Sequence, residues 1–379
     1  MQVVDPIKVI EIIKTRPYEH FYFVQSVLMA LSEIGRTEFH CFELYGKAAI
    51  EGIGNHTVEL VPLDSTFNRV SGRIIGVVNF LYSACVRPKR RCTVIFLSGS
   101  WYLYFFIGVF SLLHGNSKTI CFVHDLSYLF SRKGAPIGFR GIAAGIGFFL
   151  ANRRNSLAHF YHVDAMVAED ACAFSVFRGF GSLRFPYVFS QRVERLCPAG
   201  ELVVGIFGQM NAHKRASDVN DFISFLSSDK WLDKMQVRVI LAGRDPDNLL
   251  HENPILSKPI NDGKFVCERK MLECQQECSV VLVPMSVEKY YLQSSGVVMD
   301  CIRLAKPMLF LDWEFYEKIT SFFGVVGFYV GDFRENPGQV RRYLDLNSVS
   351  EVVHSLVAIR AEFSLHALSA QLERSLSDN

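Results

Sequence analysis

Short apolar runs of strand length alternate with helical stretches along nearly the whole chain, and this rhythm narrows the fold more than any other feature. TVIFLS at 93–98 leads into WYLYFFIGVFSLL at 101–113, and the apolar run ending at Gly208 leads into a helical pattern from Ala216. Strand–helix–strand returns of this kind build parallel sheets. In the first half the pattern predicts strands near 7–13, 39–44, 93–98, 118–123 and 164–168, with a helix over FYFVQSVLMALSEIG that stops at Gly35. In the second half it predicts strands near 202–207, 236–242, 264–267, 279–283, 307–311 and 326–330. Helices fall between them near 216–228, 270–277, 295–304 and 314–321, and one long helix closes the chain from about Val349 to Leu376.

A length of 379 residues exceeds one ordinary core. The polar stretch SQRVERLCPAG, broken by Pro198 and Gly200, reads as the linker. The expected organisation is an N-terminal acceptor-binding domain over 1–195, a donor-binding domain over 196–348, and a C-terminal helix over 349–379 packing back toward the first domain. The expected class is α/β, with two doubly wound Rossmann-like domains facing a cleft. In such sheets ligands sit beyond the carboxyl ends of the strands, and that rule selects the residues below.

Charge is uneven. Residues 65–160 carry twelve Lys or Arg, and Asp125 is their only acid, although the net charge is only +2. The first half therefore expects an anionic partner. RKGAPIGFRGIAAGIGFFLANRR at 132–154 has cations at both ends and an apolar middle, Gly141 to Ala151, too short to span a bilayer. Docking on an anionic membrane surface fits it, aided by RPKRR at 87–91. Nucleic acid is excluded as partner, because the basic segments lack a reader motif and lie among apolar helices. The start, MQVVDPIKVIEII, reads as a first strand rather than a signal peptide. Ten cysteines without a C-x-x-C read as free thiols of a reducing compartment. The expected location is cytoplasmic, peripheral on the inner face of the cytoplasmic membrane.

Two stretches carry anion chemistry. In VGIFGQMNAHKR, residues 204–215, the strand ends on Gly208, and Lys214 and Arg215 bring charge back to its tip. In QSSGVVMDCIRLAKPMLFLD, residues 293–312, Ser294, Ser295 and Gly296 open a helix whose first amides favour a phosphate, with Asp300 one turn inside. At the end of TICFVHDLSYL, His124 or Asp125 could orient a sugar hydroxyl or take its proton. KTRPYEHF offers Glu19 and His20 at the first strand's tip, and AMVAEDAC offers Glu169 at another. DPD at 245–247 spells a metal-binding D-x-D, but it follows a strand as a loop, and no metal is expected.

Taken together, these motifs resemble the donor-binding domain of GT-B glycosyltransferases, the retaining family that includes bacterial polysaccharide and lipopolysaccharide enzymes. The resemblance covers roughly residues 200–312. It implies that Gly208, Lys214, Arg215 and Ser294–Gly296 hold the diphosphate of a nucleotide sugar. It further implies that Asp300 holds the ribose, and that Glu288 and Arg244 lie toward the ribose and sugar. Gln209 stands where the family has arginine, and Leu292 where it has its first glutamate. The activity implied is transfer of a sugar from a nucleoside-diphosphate sugar to a glycan or lipid-linked acceptor in surface polysaccharide or glycolipid assembly, without a cofactor. A sugar-nucleotide epimerase of the same fold and a non-catalytic sugar-nucleotide-binding paralogue are the alternatives.

Overall fold

The computed structural model describes residues 7–11, 21–51, 53, 57–63, 70–82, 92–113, 117–152, 158–162, 177, 181–182, 201–210, 214–228, 236–259, 268–290 and 295–377. The chain divides into two compact units. One comprises 1–188, 291–294 and 363–379; the other comprises 189–290 and 295–362.

In the first unit the strands are β1 (Ile7–Ile10), β2 (Thr37–Cys41), β3 (Val58–Pro62), β4 (Cys92–Phe96), β5 (Ser117–Val123), β6 (Ala158–His162) and β7 (Gly181–Ser182). They form one sheet in the order β3-β2-β1-β4-β5-β6-β7, and every pairing is parallel. The helices are α1 (Phe21–Ile34), α2 (Glu43–Glu51), α3 (Val70–Leu81), α4 (Trp101–Leu113) and α5 (Gly138–Ala151). One core joins Val9, Phe39, Ile95 and Phe122 of the sheet to Phe23, Val27 and Leu31 of α1. Phenylalanine, 32 residues of the chain, fills much of this unit. Phe130, Phe148, Phe160 and Phe177 are buried around Tyr104 in edge-on and tilted contacts, an arrangement aromatic quadrupoles favour. Helices α4 and α5 cross without intervening side chains. A Cβ on Gly108 would lie 2.2 Å from the Gly147 carbonyl oxygen, and one on Gly147 would lie 2.2 Å from that of Tyr104.

The second unit holds β8 (Glu201–Phe207), β9 (Gln236–Ala242), β10 (Leu256–Ser257), β11 (Val280–Val283), β12 (Met308–Phe310) and β13 (Gly327–Tyr329). Their order is β10-β9-β8-β11-β12-β13, again all parallel. Its helices are α6 (Ala216–Ser228), α7 (Glu268–Glu277), α8 (Val287–Tyr290), α9 (Gly296–Leu304), α10 (Trp313–Phe323), α11 (Pro337–Tyr343) and α12 (Leu346–Ala361). Strands β8 and β11 are buried almost throughout, as strands covered on both faces must be.

The structure departs from the sequence reading in several elements. Strands β3 and β6 were not expected. The former is a sheet-edge strand carrying Glu59 and Pro62, and the latter carries His159 and His162, so neither reads as a plain apolar run. The strands expected near 164–168 and 264–267 lie outside the described residues. The expected final helix is two, α12 and α13 (Leu365–Ser377). Ser364 breaks it by accepting the Ala367 amide with its hydroxyl, while Phe363 turns into the interior. Helix α13 belongs to the first unit, where Leu368 and Leu372 enter the core beside α1.

Candidate functional site

In the second unit β8 and β9 end on glycines packed back to back. A Cβ on Gly243 would fall 1.9 Å from the Gly208 carbonyl oxygen, and Gly208 itself has φ 74. The Gly208 amide donates to Ala242 O, and Met210 N donates to Arg244 O at 2.7 Å, so the backbone around Arg244 clasps the β8 tip. The backbone therefore bends at the strand end, and the Lys214 side chain lies against it. Its Nζ donates to Phe207 O at 2.8 Å, and the residue is 4 % exposed. Burial pulls this ammonium down from 10.5 to about 8. The carbonyl of Phe207 is its one hydrogen-bond partner among the described residues, although an ammonium carries three donors.

The opposite wall is the start of α9. A Cβ on Gly208 would touch Lys214 Nζ at 3.4 Å and Val297 Cγ2 at 3.7 Å, which puts the ammonium beside the first turn of that helix. Ser295 caps it, accepting Val298 N at 3.3 Å while its hydroxyl donates to Met285 Sδ at 3.1 Å. Gly296 is exposed. A buried cation thus lies near the capped start of a helix, two features that together suit a phosphate-like anion. Ser294 lies outside the described residues. Gly208→Ala is expected to cost roughly 1–2 kcal/mol, because an alanine must adopt the same left-handed φ; urea unfolding measures it.

Several of the other candidate residues have partners of their own. Arg215, at φ 28, donates to Leu311 O at 2.8 Å and pairs with Asp218 and Asp312. Two carboxylates meet its charge, and it pins the loop to the β12 tip. Asp300 accepts from Gln275 Nε2 at 3.3 Å and pairs with Arg303 at 3.1 Å, half exposed on α9. Glu288 is exposed on α8, Gln209 is exposed after Gly208, and Arg244 is half-buried. Within DPD, Asp245 is buried, receives the Leu249 and Leu250 amides, and pairs with Lys258 at 2.9 Å. That aspartate holds a turn. Among the described residues no group of three or more His, Cys, Asp or Glu is placed to hold a metal ion, and Cys41, Cys121, Cys274, Cys278 and Cys301 are buried free thiols.

In the first unit the strand order reverses between β1 and β4, the position where open parallel sheets bind ligands. Three side chains, those of Glu11, Ser98 and His124, meet the strand ends there. Glu11 directly follows β1, is 4 % exposed, and accepts the Ser98 hydroxyl beyond β4. His124 follows β5, sets Nε2 2.7 Å from Leu97 O, and lies edge-on to Phe23 at 4.8 Å. A carbonyl only accepts, so Nε2 carries the proton and Nδ1 is the basic nitrogen of the neutral ring. Asp125 accepts both the amide and the hydroxyl of Ser127 on Oδ1, at 2.8 and 2.6 Å. It closes its own turn. Glu11 was missed because a strand drawn over 7–13 hides it mid-run; a lone carboxylate inside IKVIEII is the signal that could have marked the strand's end. Glu19, His20 and Glu169 lie outside the described residues.

Solved structures of the same architecture align over the whole chain. HepE of Anabaena, determined with UDP-glucose, is 13% identical and covers 98% of this chain and 99% of its own, with TM-score 0.62. The N-terminal domain of Candida albicans trehalose-6-phosphate phosphatase is 10% identical over 98% of both chains, TM-score 0.58. OtsA in its apo form is 9% identical over 99% and 100%, TM-score 0.58. The chain has the GT-B fold. No family model matches the sequence, and no curated protein matches it. The likeness to the GT-B structures is one of fold. Within it, Gly208 and Lys214 occupy the tip of the second sheet's first strand, and His124 occupies a strand end of the first sheet.

Proposed function

We propose that the protein is a glycosyltransferase that moves a sugar from a nucleoside-diphosphate sugar to a glycan or lipid-linked acceptor. It would act in surface polysaccharide or glycolipid assembly, at the inner face of the cytoplasmic membrane. The observation that carries this reading is the buried Lys214 ammonium beside the capped start of α9, on a GT-B fold. HepE, which shares that fold, was solved with UDP and with UDP-glucose, so a uridine diphosphate sugar is the first donor to try.

As the bond from the sugar to the β-phosphate breaks, negative charge grows on the leaving diphosphate. Lys214 and the α9 amides are set to stabilise that charge in a site sheltered from water. Asp300 holds the ribose, and His124 Nδ1 receives the proton of the acceptor hydroxyl. Asp125 keeps the loop after β5 in shape, and Glu11 with Ser98 orders the neighbouring strand ends. These side chains supply the chemistry without a metal ion.

A panel of nucleoside-diphosphate sugars screened by thermal shift tests the donor side, since a ligand of the native state raises its melting temperature. Stabilisation by one nucleotide family is expected, followed by acceptor-dependent release of the nucleoside diphosphate that persists in chelator. No stabilisation by any of them would remove the proposal. Conversion of the donor without acceptor would point to an epimerase. Exposed Gln209 and neutralised Arg215 favour a second reading, a binder without turnover, which predicts stabilisation with no release.

A further inference from the structure

Helix α5 is apolar on both of its faces. Its inward face, with Ala144, Gly147 and Phe148, is buried. Its outward face presents Phe139, Ile142, Ile146 and Phe149 one turn after another, with Phe139 72 % and Phe149 61 % exposed. A helix on the surface of a globular unit ordinarily turns polar residues outward. Exposed Ile75 of α3 and Leu112 of α4 add to the apolar surface of this unit. Between the three helices opens a cavity of about 250 Å³, lined by residues that include Ile74, Trp101, Phe105, Phe106 and Phe139. At the amino-terminal end of α5, Arg132, Lys133 and Arg140 are exposed. Asp125, engaged by Ser127, is the one acid anywhere in residues 65–160. No helix among the described residues is long and apolar enough to cross a membrane.

We propose that this face docks on an anionic phospholipid bilayer, with Phe139, Ile142, Ile146 and Phe149 set into the acyl boundary and Arg132, Lys133 and Arg140 at the headgroups. A bilayer supplies both required chemistries in the right order, hydrocarbon beneath a negative surface. A second copy meeting the same patch would bring apolar contacts but, with Asp125 the one acid in residues 65–160, little negative charge to meet the three cations. The cavity between α3, α4 and α5 offers room for part of a lipid chain drawn up beside Phe139. The inference deepens the membrane part of the proposed function and rests on it only for the side of the membrane; it needs nothing from the donor site.

Flotation with vesicles of phosphatidylcholine, with or without phosphatidylglycerol, tests it. The protein is expected to float with the phosphatidylglycerol vesicles, less so at high salt. The double variant Phe139→Asp, Phe149→Asp should bind them weaker by about tenfold or more, while keeping the wild-type melting temperature and its response to nucleotide sugars. Lys133→Gln with Arg140→Gln should lose the preference for phosphatidylglycerol. Wild-type protein that stays unbound, or a Phe139→Asp, Phe149→Asp variant that floats as well as wild type, overturns the proposal. So does a dimer in light scattering that the aspartates dissociate, since a second copy then covers the face. Vesicle binding without any nucleotide response would leave docking standing and remove the sugar-transfer reading; transfer to a soluble acceptor without vesicle binding would do the reverse.

Discussion

Lys214→Met is expected to weaken nucleotide-sugar binding severely and, at the same time, to make the empty protein more stable. The wild-type ammonium is buried with one carbonyl for a partner, and its drop from 10.5 to about 8 corresponds to about 3 kcal/mol of unfavourable burial at neutral pH. Losing the hydrogen bond to Phe207 O returns about 1 kcal/mol of that, and an unbranched methionine fills similar space. The melting temperature of the unliganded second unit should therefore rise by roughly 4–8 °C. Affinity for a nucleoside diphosphate should fall on the order of a hundredfold to a thousandfold, the usual penalty for removing one member of a buried charged contact. The pH dependence follows. The folded pKa lies below the unfolded one, so the burial cost is present in full below about pH 8 and fades as pH rises toward 10.5. Affinity for the nucleotide should be highest below pH 8 and decline above it in wild type, and should show no such step in Lys214→Met. Calorimetric titration and a melting series over pH 6–10 check both.

His124→Ala is expected to lower turnover by about 10²–10⁴-fold, the usual contribution of a positioned acid or base, with the nucleotide affinity unchanged. His124→Gln separates the two duties of the ring. Its amide can still donate to Leu97 O, as Nε2 does at 2.7 Å, but it has no basic nitrogen. If the histidine only braces the loop between Leu97 and Phe23, glutamine restores most of the rate; if Nδ1 takes the acceptor's proton, glutamine leaves turnover as low as alanine does.

The long-period features of this fold were legible in the sequence because they depend on patterns that burial enforces. Strand β8 must be apolar from Leu202 onward since both its faces are covered, and α6 must show the spacing that buries Val219, Phe222, Ile223 and Leu226. Edge strand β3 faces partly outward, so its acid and proline disguise it. The break at Ser364 depends on one hydroxyl taking one amide, which a continuous helical pattern does not reveal. For the candidate site, position was readable and state was not. A lysine after a strand-end glycine marks a place for an anion, but its burial against Phe207 O, at a strand end where Gly208 packs on Gly243 of a distant segment, is not readable from it. Likewise Arg215 looks like a spare cation in the sequence, and only the return of β12 brings Asp312 and Leu311 O to it.

The claim beneath the proposed function is that the buried Lys214 meets the diphosphate as a charged ammonium. The most direct measurement is the number of protons taken up when uridine diphosphate binds above pH 8, read by calorimetry in two buffers of different ionisation enthalpy. Roughly one proton per nucleotide is expected for wild type and none for Lys214→Met. Binding with no proton uptake, or with the same uptake in both proteins, would contradict it.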